Sequence, residues 1–180
     1  MDETRSERFG PLIRGIDRIT LAGGVLAAAC LMALFGLIFA EVLARNIWGT
    51  SLSFSWDYAA YMMGACFLLA GGSALRGGAH VRVTALHEAV PRRAVWVMDL
   101  AACVVGLAVT AFILWALGHM AWLSFGRGTT ASSVVKTPLW IPQLVLALGA
   151  LIFVAQMLAQ LLRVLRGETI IEEPKTEEAA

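Results

Sequence analysis

The sequence predicts an all-α integral membrane protein with four transmembrane helices and both termini in the cytoplasm. Three observations carry that expectation: an apolar excess, its collection into four long uncharged runs, and the placement of arginine and lysine. The 180 residues are 59% hydrophobic and 15% charged, with a mean hydropathy of +0.75. Ordinary globular domains are about 45–50% apolar and about 25% charged. A chain this short has too little polar surface to wrap four buried helices, so a soluble protein with an unusually apolar core is excluded. The net charge of +1 leaves no basic surface for nucleic acid.

Ile19–Ala40 runs 22 residues without a charge, Tyr58–Leu75 runs 18, Leu100–Gly118 runs 19 and Thr137–Leu162 runs 26. About 20 apolar residues in a helix cross roughly 30 Å of hydrocarbon. Lipid offers no partner to a backbone amide, so each run must be a helix that satisfies its own backbone. Allowing for ends, the spans are expected at about 19–44, 55–75, 95–122 and 138–163, within a membrane domain of residues 19–165. Eleven basic residues fall in the N-terminal segment, the second connection and the C-terminal segment; three, Arg45, Arg127 and Lys136, fall in the other two connections. Cytoplasmic loops carry the excess of arginine and lysine, which orients the chain with both ends inside.

The basic start before the first apolar run has the look of a signal peptide. Its ten further apolar residues after Cys30 exceed a signal core, so the run is expected to stay as a true span. Upstream, Phe9, Leu12, Ile13, Ile16 and Ile19 recur at helical spacing opposite Arg14, Asp17 and Arg18. Residues 1–18 therefore hold either a short amphipathic interfacial helix, with Pro11 near its start, or an extension of the first span. Thr84–Val95 has the character of a second interfacial helix, broken or restarted at Pro91. The glutamate-rich tail, residues 166–180, has almost no apolar anchor and is expected to be disordered.

Charge at bilayer depth is costly and marks function by default. Here the middle of every span is free of it, and the polar residues that remain sit near boundaries. Glu41 stands four residues before Arg45, a spacing that pairs the two along one helix face. Asp57 lies in the first turn of span two, where a carboxylate interacts well with the helix N-terminus. Asp99 falls within reach of Arg92 or Arg93, and His119 near the far end of span three. Gln156 and Gln160 share one face of span four and are placed to bond a neighbouring helix. Ala102, Gly106 and Thr110, and likewise Ala60 and Gly64, form small-residue ladders that permit close approach. Cys30, Cys66 and Cys103 lie mid-span with no C-x-x-C, and read as small packing residues. No Gly/Pro-broken span and no catalytic motif is present, so the chain is not equipped to transport or catalyse alone.

One segment points to a partner. Leu75–Val83, LRGGAHVRV, resembles the signature of the small (Q-type, DctQ-like) subunit of tripartite ATP-independent periplasmic (TRAP) transporters. Arg76, Gly77, His80, Arg82 and Val83 match that pattern, and Pro91 falls where the family has a proline before span three. Val42–Arg45, Ser53 and Asp57 are similar to the family's entry to span two. Thr130–Pro142 is similar to its entry to span four. Phe54, Trp56 and Thr84 depart from the pattern: Trp56 stands where the family has the first of two acidic residues, which leaves Asp57 as a single carboxylate there.

The resemblance implies a non-catalytic scaffold for a large permease subunit that holds the sodium and substrate sites. It implies no cofactor on this chain, with sodium as coupling ion on the partner. It also implies a periplasmic binding protein that delivers an organic acid, and membrane lipid around the subunit. Arg76, His80 and Arg82, beside the anionic inner leaflet, become assembly candidates with Asp57, Glu41, Arg45, Gln156 and Gln160. Two other readings stand beside it. The small subunit of a tricarboxylate-type tripartite transporter would lack the arginine-histidine-arginine motif. A four-span membrane enzyme such as a thiol oxidase would need periplasmic cysteine pairs.

Overall fold

The computed structural model describes residues 10–77, 91–133 and 135–166. They form four α-helices: α1 Gly10–Ile47, α2 Ser55–Arg76, α3 Arg92–Arg127 and α4 Trp140–Leu165. All four are long and apolar enough to cross a membrane. At 1.5 Å per residue α2 and α4 measure about 33 and 39 Å, close to one bilayer core. The 38-residue α1 and 36-residue α3 extend to about 57 and 54 Å, so each spans the hydrocarbon and projects beyond it.

The stretch with amphipathic spacing is not a separate helix from Gly10 onward; it continues into the first span without a break. No proline stands between Leu12 and Ile19 to remove a ladder donor, and the one glycine there, Gly15, costs only about 1 kcal/mol. Pro91 caps α3 in extended conformation, φ −63° and ψ 145°, so Val95 belongs to α3. The rest of the expected interfacial segment, residues 84–90, lies outside the described residues, as does the tail 167–180.

Helix α4 is the centre of the bundle. It packs against α1, α2 and α3; α1 also lies along α2, while α3 makes no substantial contact with either. The starts of α2 and α4 lie at one end, here called distal, and the start of α1 and the end of α4 at the other, here called terminal. Gly64 faces Leu146, Gly149 faces Leu68 and Gly71 faces Phe153, so α2 and α4 run parallel in a steady register. Burial on α1 follows a narrow seam through Ile13, Thr20, Gly23, Ala27, Glu41 and Ala44, at intervals of three and four or their sums. Ala27, Ala65 and Leu69 form the apolar core there, with Cys30 and Cys66 half-buried against it.

The small-residue ladders need correction. Gly106, half-buried against Met157, and the buried Thr110 are on the contact face of α3, but they are joined there by the buried Cys103; Ala102 and Ala60 are exposed. The contact face of α3 therefore keeps Gly106 and Thr110 and takes Cys103 in place of Ala102.

Candidate functional site

At the terminal end, one polar cluster joins α1 to α4. Arg163 donates to Asp17 Oδ2 at 2.6 Å, and Gln156 Nε2 donates to Asp17 Oδ1 at 3.1 Å. Thr20 donates to Gln156 Oε1 at 2.8 Å, with both residues fully buried. Arg163 also donates to Gln160 at 3.2 Å. Gly72 of α2 makes room for this cluster, because a Cβ there would stand 3.1 Å from Thr20 Cγ2. Nearby, the indole of Trp96 donates to the carbonyl of Val164 at 3.1 Å and ties the start of α3 to the end of α4.

At the distal end Glu41 pins the turn between α1 and α2. Its Oε1 accepts from Arg45 at 3.0 Å and from Ser51 at 2.6 Å, and its Oε2 accepts the Leu52 amide at 2.6 Å. Gly49, at φ 65°, makes the reversal that brings Ser51 and Leu52 back to Glu41. The connection from α3 to α4 is held as well. Gly128 ends α3 at φ 60°, Thr130 and Pro138 form a bridge, and Tyr58 and Thr137 share a hydroxyl bond of 3.1 Å. Leu37, Phe54, Tyr58, Met62 and Val135 line an open apolar pocket of about 350 Å³ beneath this connection.

The expected residues distribute as follows. Glu41 and Arg45 pair as their spacing suggests, and Gln156 bonds a neighbouring helix. Gln160 is buried, but its hydrogen bond is to Arg163 of its own helix, so it reaches α1 only through that guanidinium. Asp57 is half-buried in the first turn of α2 with Oδ2 unpartnered. Arg76 is the exposed last residue of α2. His80 and Arg82 lie outside the described residues, as do the side chains of Arg92 and Arg93. Asp99 is half-buried on α3, and His119 is exposed and stacked on Trp115 at 5.6 Å.

Sequence reasoning missed Asp17, Thr20 and Arg163. Asp17 and Arg163 are 146 positions apart, beyond any local spacing rule. The available signal was one acid flanking span one and one base flanking span four, at ends that the topology brings together.

A multi-pass, all-helical membrane protein in which Thr20, Ser73, Thr110 and Gln156 bond within the chain's own helices is the class these features define. Residues 34–167 match the family model of tripartite ATP-independent periplasmic transporters, DctQ component, and the chain belongs to that family. It is a small subunit of a TRAP transporter, multi-pass in the inner membrane, from a family that works with a large permease and a binding protein. No curated protein and no solved structure matches the chain. Family membership places the chain among TRAP transporter components rather than tricarboxylate-type subunits. The match begins at residue 34, so Asp17 and Thr20 lie outside it.

Proposed function

We propose that this subunit is a non-catalytic scaffold for the large permease of a sodium-coupled TRAP importer whose substrate is an organic acid delivered by the binding protein. The observation that carries this reading is how the polar side chains within the spans are used. Thr20 and Gln156 bond across helices, while Thr110 and Ser73 return their hydroxyls to carbonyls of their own helices. Carriers commonly build coupling sites from interrupted helices and exposed backbone; α1 to α4 are unbroken over their lengths. Much of α1 and α3 instead presents large apolar side chains outward, including Phe35, Phe39, Val105 and Phe112. These faces suit lipid and an apolar protein neighbour.

In this reading both termini are cytoplasmic, and Arg76, His80 and Arg82 form a cytoplasmic assembly motif. The test is reconstitution. The purified chain in liposomes, under an inward sodium gradient, should move no organic anion. Uptake should appear when the large permease and the loaded binding protein are added. Uptake by this chain alone would overturn the scaffold reading.

A further inference from the structure

Three buried side-chain atoms at the distal end have no hydrogen-bond partner among the described residues: the hydroxyl of Ser55, and two pure acceptors, Oδ2 of Asp57 and Oε1 of Gln143. A buried acceptor left unpaired forfeits its hydration with nothing in return, and a carboxylate suffers most. The steady register of α2 on α4 places Asp57 level with the first turn of α4, which carries Gln143. Asp57 also falls on the α4-facing side of α2, one helical face with Gly64, Leu68 and Gly71. Helix α3 makes no substantial contact with α2, so the head of α4 lies between two helices that are not packed together.

The chain's own cations at this end do not fill the role. Arg45 is engaged by Glu41 and Ser51, and the exposed Arg127 and Lys136 do not pair with Asp57. What complements a carboxylate oxygen and an amide oxygen together is a group that only donates and carries positive charge. Arginine and lysine also bear that charge on a long apolar stem, which reaches acceptors recessed between helices. A lipid amine is held at the surface by its glycerol.

We infer that Asp57 and Gln143 form the docking site for an arginine or lysine on a membrane-embedded segment of the large permease subunit, seated between α2 and α3. This rests on the scaffold reading above and names where the partner's cation enters. An orphaned carboxylate that awaits a partner has an unusual signature. Its neutralisation weakens the complex while the free subunit is unharmed or gains stability.

The experiment uses the tagged small subunit co-expressed with its large subunit, and also the small subunit alone in detergent. Asp57→Asn and Gln143→Leu should each weaken retention of the large subunit, Asp57→Asn by about tenfold or more. The thermal midpoint of free Asp57→Asn should equal or exceed that of the parent. A photo-cross-linking residue at the exposed Ala60 should attach to the large subunit. Normal retention by Asp57→Asn would overturn the site, as would a parallel loss of stability in the free chain or cross-linking to lipid only. If the unmodified chain retains no large subunit, the scaffold reading falls and the site falls with it.

Discussion

Asp17 illustrates how a side chain's role can be hidden from its neighbours in sequence. By spacing it belongs to the polar face of an N-terminal amphipathic stretch, beside Arg14 and Arg18. In the folded chain it accepts from both Arg163 and Gln156, with its side chain 16% exposed and that of Arg163 23% exposed. Hydrogen bonds to charged groups contribute about 1.5–3 kcal/mol, and a stranded partner adds its own desolvation. Asp17→Ala should therefore lower stability by about 2–3 kcal/mol in detergent unfolding, with Gln156→Leu costing less because no charge is stranded. A loss below about 0.5 kcal/mol for Asp17→Ala would mean that the pair is no stronger than an ordinary surface bridge. Glu41 is the contrasting case. Its pairing with Arg45 is legible from a four-residue interval, but its bonds to Ser51 and Leu52 depend on the reversal at Gly49.

Among elements, α4 and α3 show why equal apolarity does not mean equal surroundings. Both are uncharged for most of their length, yet glycines on the two helices meet different neighbours. A Cβ on Gly149 would stand 2.9 Å from Leu68 Cβ and 3.3 Å from the Leu69 nitrogen, atoms fixed by the backbone of α2. A Cβ on Gly118 of α3 would meet nothing within 4 Å. Gly149→Ala should thus destabilise the bundle by about 1–3 kcal/mol through overpacking. Gly118→Ala should be neutral or stabilising, by up to about 1 kcal/mol of helix propensity. Thermal midpoints of the two variants, measured side by side, check the expectation. Equal midpoints would show that the α2–α4 seam yields more readily than its backbone contacts imply.

The whole molecule is a bundle organised about α4, with the outer faces of α1 and α3 turned away from the core. That layout brings both ends of the described chain to one side. Eleven of the fourteen basic residues belong to the segments on that side. Reporter fusions after residues 85 and 175 should therefore read as cytoplasmic, and fusions after residues 50 and 130 as periplasmic. A periplasmic signal after residue 85 would reverse the orientation and place the Arg76–Arg82 motif on the face where the binding protein arrives.

How much of this was legible beforehand follows from the range of the forces involved. The number of spans, and the ends of α2 and α4 to within a few residues, were readable because lipid forces each uncharged run to satisfy its own backbone. That is a local condition, met residue by residue along the chain. The entry to α3 was less readable: span three was expected from about residue 95, with Pro91 inside an interfacial segment, whereas the helix begins at Arg92 directly after Pro91. Family membership was readable from short motifs that need no partner in space. The sequence could not say which helix occupies the centre, because all four are apolar on every side and their periodicity does not rank them. Small residues marked possible seams, yet spacing alone chose Ala102 where packing uses Cys103. The Asp17–Arg163 cluster and the unpaired acceptors of Asp57 and Gln143 were decided only by tertiary structure. They depend on which helices run parallel, in which register and how closely, and those follow from side-chain fit between segments a hundred residues apart.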